Sequence, residues 1–244
     1  MKKFLIFVVT IIVIHNFSMY AQPQYPQCYN NDASCQSWSS WECRSDLWLK
    51  LDGIDYIPLS DCQFQVSACW RYCLSDPSNF QINLLSTGPR NDECVQAFWD
   101  YINMPGKNRD QQMRNIWEDT YKSLAKWVLQ NKGLQYGNYD CDAMPPRIFR
   151  EKKYSPGNCT MICVFNDENG KPKFQQTPCI QDFCCGILYL MCWDTSVNPP
   201  EAKIIDEIKI SEGAEECLIS PEPPLQLCPP GTFDGTRCFS DCLY

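Results

Sequence analysis

The chain has 244 residues, 18 cysteines and a formal net charge of −8 at pH 7. DNA, RNA and anionic membranes each require a basic face, so this acidic balance argues against all three as partners. The length allows a sizeable buried core, so disulfide bridges need not be the only support of the fold.

Residues 1–21 have the pattern of a secretory signal peptide. Two lysines precede an apolar run from Phe4 to Ile14, and Ala21 marks the expected cleavage site. That run is shorter than the roughly 20 residues of a membrane-spanning helix, and no later run is long and apolar enough. Cleavage leaves 19 basic residues (21 − 2) against 29 acidic ones, a charge of −10. The sequence therefore predicts an exported protein, secreted or held at the cell surface, with the periplasm as an alternative.

All the cysteines lie beyond the signal peptide. An even number of cysteines in an exported chain predicts a disulfide framework. Three of them recur at a constant spacing of 123 residues (185 − 62): Cys62, Cys69 and Cys94 match Cys185, Cys192 and Cys217. Trp70 and Trp193 match at the same spacing, and we interpret the pattern as an internal duplication. The simplest matched bridges would join Cys69 to Cys94 and Cys192 to Cys217.

The predicted fold class is α+β, a disulfide-rich chain with two repeated antiparallel β units and a helical pair inserted between them. The predicted segments are a signal peptide at 1–21, a cysteine-stapled segment with the first β unit at 22–90, the helical pair at 91–133, the second β unit at 134–217, and a proline-rich linker with a cysteine-rich tail at 218–244.

A hairpin is predicted from Leu47 to Pro58, because Asp52-Gly53 suits a type I′ turn. That register would bring Cys43 opposite Cys62, where a bridge could close the open end.

Further strands are predicted where β-forming residues lie between turn residues. They are Phe64–Cys73, Phe80–Leu85, Thr160–Phe165, Lys173–Gln176, Ile187–Trp193 and Ala202–Ile210, with an Asn169-Gly170 turn between the third and fourth.

The period of the apolar residues changes to that of a helix between the two units. Asn91 is expected to cap a short helix, which Pro105 stops. A longer helix is then predicted from an apolar stripe that is most typical of a core: Met113, Ile116, Trp117, Tyr121, Leu124, Trp127 and Val128.

The exported chain offers little catalytic chemistry, because the only histidine, His15, lies in the signal peptide. Without histidine there is no Ser-His-Asp triad, no histidine-bound zinc and no CxxCH haem attachment, and CxxC pairs are absent. Ser123-Leu-Ala-Lys126 matches SxxK, but its KTG and SDN companions are missing, so a helix surface is favoured. We predict no catalytic residues, no cofactor and no metal site.

Paired acids offer a different chemistry, because two carboxylates can cleave a glycosidic bond. The candidates are Glu118-Asp119, Asp92-Glu93 and Glu215-Glu216, for which solvated acids are the favoured interpretation. Asn166–Gly170 is similarly interpreted as a turn rather than a calcium loop, because the ligand alternation is broken.

Trp38 and Trp41 are the candidate contact residues for a glycan or a protein partner. Two nearby indoles could stack on a sugar ring, but packing beside disulfides is the favoured interpretation.

Two resemblances bear on the compartment. The signal peptide ending Tyr20-Ala21-Gln22, the Cys184-Cys185-Gly186 strand start and the acidic, cysteine-rich body resemble uncharacterised secreted proteins of Bacteroidota. This resemblance implies a Gram-negative exported protein, periplasmic or at the cell surface. The Cys228–Thr232 stretch resembles the CPPGT-type turns of small extracellular cysteine modules.

The main functional hypothesis is a non-catalytic structural, adhesive or accessory subunit of a cell-surface or extracellular assembly, with protein partners. The alternatives are a protein that binds glycans or cleaves them with carboxylates, and a disulfide-rich protease inhibitor with one exposed rigid loop. A large uncovered apolar patch would favour assembly.

Overall fold

The structure, a computed structural model, describes residues 34–51, 53–132, 140–142, 149–155, 159–166, 172–180, 184–212, 226, 228, 230–235 and 239–240. The signal peptide, the Asn169-Gly170 turn, Cys217 and the proline-rich linker lie outside the described residues. Over the described ranges the fold is a mixture of helices and largely antiparallel sheets, as the sequence predicts at this coarse level.

The strands are β1 Glu42–Lys50, β2 Gln63–Tyr72, β3 Asn79–Pro89, β4 Phe149–Ser155, β5 Cys159–Asn166, β6 Pro172–Ile180, β7 Cys184–Asp194, β8 Glu201–Glu212, β9 Thr232–Gly235 and β10 Phe239–Ser240. The helices are α1 Ile57–Ser60, α2 Asp92–Ile102 and α3 Arg109–Lys132. Each predicted strand corresponds to one of these strands within a few residues.

The larger sheet has six strands in the order β1-β2-β3-β4-β7-β8. Neighbouring strands are antiparallel except β3 and β4, which run parallel. In β2, Phe64, Val66, Ala68 and Trp70 are each at most 1% exposed, whereas the intervening Gln65 is exposed and Ser67 is half-buried. Because side chains alternate between the faces of a strand, one face of this sheet is the core and the other is free for polar groups.

The two longer helices pack on the core face of the sheet. Phe98 of α2 lies 6.2 Å from Phe64, and Trp127 of α3 lies 5.4 Å from Trp70, between ring centroids. The side chain of Asn91 accepts a hydrogen bond from the backbone N–H of Cys94, so the predicted cap of α2 is confirmed. The predicted stripe of α3 is also confirmed as core: Met113, Ile116, Trp117, Tyr121, Leu124 and Val128 are buried and Trp127 is partly buried.

The smaller sheet is built around β5, which pairs with β6, β9 and β10. Met161 to Val164 of β5 are buried, and the Cys163–Cys228 bridge ties β5 to the C-terminal region. Arg109 at the start of α3 donates two hydrogen bonds, of 3.2 and 3.1 Å, to Asp234 in β9. The smaller sheet is therefore joined to the helical layer by an ion pair.

Five bridges are described: Cys35–Cys73, Cys43–Cys69, Cys62–Cys94, Cys141–Cys192 and Cys163–Cys228. No described cysteine is free, and stable bridges of this number are typical of an oxidising compartment.

The predicted connectivity is wrong in each described case. Cys43 pairs with Cys69 because β1 and β2 align these residues directly opposite each other. Cys62 pairs with Cys94 because the first turn of α2 lies beside the end of α1. Cys192, expected to bridge Cys217, is joined instead to Cys141.

The predicted hairpin at Asp52-Gly53 is also wrong. β1 pairs with β2, with Lys50 opposite Gln63, and the chain between them turns into α1, where Pro58 lies in the first turn. Leu51, Ile54 and Leu59 are at most 5% exposed, so burial of three apolar side chains decides the path of this segment.

The duplication is not confirmed. The trios β1-β2-β3 and β4-β7-β8 are each antiparallel, and each contains one of the predicted strand pairs. However, Cys69 lies opposite Asn83, so the 123-residue spacing requires Asp206 opposite Cys192. Cys192 lies opposite Lys203 instead, three residues away. Cys185 lies in β7, but its side chain and the whole of Cys217 lie outside the described part of the chain.

Within the described ranges, no helix has both the length and the apolar character needed to cross a membrane.

Candidate functional site

The predicted tryptophan pair forms a clamp around one arginine. The guanidinium of Arg71 lies 5.0 Å from the ring centroid of Trp38 and 4.6 Å from that of Trp41. Its Nε donates a 2.7 Å hydrogen bond to Gln81. Both indoles are half-buried, and the backbone of Trp38 bridges to that of Cys73, which holds one of the disulfides. A ring face that stacks on a guanidinium is not available to a sugar, so the geometry favours packing.

A cleft of about 480 Å³ opens between α3 and the β7–β8 hairpin. Helix α3 contributes Asp119, Lys122 and Lys126, which share one side of the helix because they are spaced by three and four residues. The sheet contributes acids, one lysine and an apolar floor: Asp194, Glu201, Ala202, Lys203, Ile204 and Glu207. The cleft is therefore lined by charges of both signs.

Two ion pairs neutralise charges in this cleft. Lys122 lies 2.9 Å from Glu207, and Lys203 lies 3.6 Å from Asp194. The hydroxyl and the backbone N–H of Ser196 donate to Asp194 and hold the pKa of this carboxyl below its ordinary value, and Lys203 adds to that effect. The described contacts of the Glu207 and Asp194 carboxylates are with cations and with N–H or O–H donors, not with a second carboxylate.

Asp119 is only 7% exposed and holds the loop after β1. Both of its carboxylate oxygens accept the backbone N–H of Gly53, each at 3.0 Å. A Cβ at Gly53 would clash with Oδ1 of Asp119, which explains why glycine occupies this position. The preceding residue, Glu118, is exposed, so the two adjacent acids do not share a site. Asp119 thus has a structural contact to explain its burial.

The other predicted motifs are placed as follows. Asp92 and Glu93 are exposed at the start of α2, and Glu215-Glu216 lie outside the described residues.

Ser123 is buried at 9% exposure, so it does not belong to the helix surface that the SxxK interpretation assumed, whereas Lys126 reaches the cleft. Among the described residues, no three His, Cys, Asp or Glu side chains are grouped to hold a metal ion.

The exposed aromatic residue Trp48 is not among the contact residues that the sequence predicts. Trp48 of β1 is 38% exposed, and the guanidinium of Arg90 lies 4.4 Å from its ring centroid. The signal was present in the sequence, because Trp48 stands between two apolar residues, Leu47 and Leu49. Strand alternation directs it to the face opposite theirs.

Comparisons of the chain with protein-family models, with curated proteins and with solved structures found no match.

Proposed function

We propose that this chain is a secreted, non-catalytic structural, adhesive or accessory subunit of a cell-surface or extracellular assembly. One observation carries the proposal: two acids of the cleft are ion-paired, and a third accepts a backbone N–H. Lys122 is paired with Glu207, Lys203 with Asp194, and Asp119 accepts an N–H. A general acid and a nucleophile would need two carboxylates facing a substrate, and these acids are held in internal contacts.

Export is part of the same proposal. It is supported by the signal-peptide pattern of residues 1–21 and by five described disulfide bridges, which an oxidising compartment maintains.

A turnover assay tests the non-catalytic part. The mature protein is incubated with neutral and acidic oligosaccharides, and new reducing ends are measured over time. We expect no increase above the rate without protein. An increase that Glu207→Gln abolishes, and that the exposed control Glu118→Gln leaves unchanged, would establish the glycan-hydrolase alternative. The control is matched because it removes one acid from the same region without altering the cleft.

Glycan binding without cleavage is the second candidate. It is favoured by Trp48, which stacks on Arg90 but is 38% exposed, rather than by Trp38 and Trp41, which are half-buried and both stack on Arg71.

We also propose that the two sheet trios descend from one unit, which the matching antiparallel order of their strands supports. If this is so, Cys185 should bridge Cys217, since Cys62 bridges Cys94 at the matching positions. Peptide mapping without reduction tests this. A different partner for Cys185 would leave the duplication without a single matched bridge.

A further inference from the structure

The outer face of β1, β2 and β3, opposite the helices, carries two rows of residues that are aligned across the strands. In the first row Trp48 lies opposite Gln65, which lies opposite Gly88. In the second row Lys50 lies opposite Gln63, whose carbonyl accepts the backbone N–H of Arg90 at 3.0 Å. Rows two residues apart lie on the same face. We call these six residues the Trp48 patch.

The Trp48 patch is open to solvent. Trp48, Lys50, Gln65 and Arg90 are exposed, and Gln63 and Gly88 are half-buried. A Cβ placed on Gly88 would meet no atom within 4 Å, so the surface is not covered there by any described residue. With strands about 4.8 Å apart, the patch is roughly 10 Å wide. A ligand the width of a sugar ring could therefore rest on it.

Arg90 is held in place by neutral groups. Its guanidinium stacks on Trp48, and its Nη1 donates a 2.9 Å hydrogen bond to Oε1 of Gln63. Among the described residues, neither Arg90 nor Lys50 forms an ion pair.

Several other described cations are neutralised by acids. Arg44 pairs with Asp46, Arg109 with Asp234, and Lys132 with Glu42. In a chain of net charge −8, the described structure thus places two cations without a described ion pair beside an exposed indole. Their charge remains available to an anionic group.

We propose that the Trp48 patch binds an acidic sugar unit of a glycan, a unit that bears a carboxylate or a sulfate. This proposal rests on the adhesive form of the proposed function and names its ligand class. The free face or edge of the indole packs against the C–H groups of the ring. The planar guanidinium of Arg90 and the ammonium of Lys50 bind the acid group. The amides of Gln63 and Gln65 exchange hydrogen bonds with hydroxyl groups.

Titration calorimetry of the mature protein tests the ligand class with four probes. They are an oligogalacturonate hexamer, which carries carboxylates, a carrageenan hexasaccharide, which carries sulfates, neutral maltohexaose, and hexaglutamate, which is acidic but not a sugar. We expect at least one acidic oligosaccharide to bind about tenfold or more tightly than maltohexaose and hexaglutamate. The first two probes distinguish the carboxylate from the sulfate.

Variants of the patch assign the site. Trp48→Ala, Arg90→Gln and Lys50→Gln should each raise the Kd about tenfold, and Arg90→Lys should have an intermediate effect because it keeps the charge but loses the planar group. The matched control is Arg44→Gln. Arg44 is an exposed arginine of β1, the strand that carries Trp48 and Lys50, and it is already paired with Asp46. Near-ultraviolet circular dichroism verifies that each variant keeps its fold.

The proposal is overturned if neither acidic oligosaccharide binds, if hexaglutamate binds as tightly, or if Arg44→Gln weakens binding as much as Arg90→Gln. None of these results affects the proposed subunit function, which can be served by a protein partner. Cleavage of a bound oligosaccharide would instead contradict the non-catalytic proposal, while the binding site would stand.

Discussion

Gly53→Ala is expected to destabilise the fold through Asp119. The added methyl group would clash with Oδ1 of Asp119, whose carboxylate accepts the N–H of Gly53. The backbone of Gly53 is not in the left-handed region, so the cost is a matter of contact rather than of strain. Asp119 is 7% exposed and must move from a packed position. A hydrogen bond to a charged group contributes about 1.5–3 kcal/mol, so we expect a loss of about 2 kcal/mol in unfolding free energy.

A double-mutant cycle isolates this contact. Asp119→Ala alone should cost about 2–3 kcal/mol, because it removes the charged acceptor of the Gly53 N–H from a buried position. The double variant should cost about 3 kcal/mol, less than the sum, because the methyl group no longer meets a carboxylate.

The measurement is urea unfolding with the disulfides intact, followed by tryptophan fluorescence. Gly88→Ala is the matched control, since a Cβ there meets no atom within 4 Å, and it should be neutral or slightly stabilising. The reasoning is refuted if Gly53→Ala is as stable as Gly88→Ala, or if the two costs add without coupling.

Three further predictions concern other parts of the fold. Trp38→Ala and Trp41→Ala should lower the melting temperature and leave partner association unchanged, because both rings pack on an arginine; loss of glycan binding at an unchanged melting temperature would contradict this. The pKa of Asp194 is depressed, so its contribution to stability is present above the ordinary carboxyl pKa and is lost as the pH falls through the folded value. In an NMR titration, the midpoint of the Asp194 carboxyl should lie below 3.8, and in Ser196→Ala it should rise towards 3.8. Equal midpoints in the two proteins would show that the hydrogen bonds from Ser196 do not lower this pKa. Asn91→Ala should cost about 1 kcal/mol in urea unfolding through loss of the α2 cap, and a change no greater than that of a neutral surface substitution would contradict the capping role.

The helices could be predicted because their signals are local. Asn91 and the acids that follow it mark the start of α2, and the 3.6-residue period from Met113 to Val128 marks the buried side of α3. These patterns depend on residues within one or two turns of the helix. The strands were likewise recognised from alternation and turn residues within a short window.

The Asp52-Gly53 segment was predicted wrongly because a distant residue decides its conformation. The turn signal was genuine, but the N–H of Gly53 is taken by Asp119, 66 residues further along the chain. Burial of Leu51 and Ile54 supports the same path. Such long-range contacts leave no trace in a local window, so tertiary packing overrode the turn preference.

The disulfide partners could not be derived from spacing for a similar reason. Cys43 meets Cys69 through the register of two strands, and Cys62 meets Cys94 through the docking of a helix. Several connectivities satisfy the same spacings. Trp48 was missed for a different reason: the predicted hairpin pairs β1 with the wrong segment, so it does not bring Gln65 and Arg90 beside Trp48, as the sheet does.

Co-sedimentation of the native exported protein tests the central claim most directly. The exported fraction of the cells that make the protein is separated on a density gradient without reductant, and the position of the chain is followed by antibody. The account predicts that the chain sediments with a much larger surface or extracellular assembly and returns to the position of a single chain only when that assembly is dissociated. Sedimentation of all the protein as a single chain under native conditions would contradict a role as an assembly subunit.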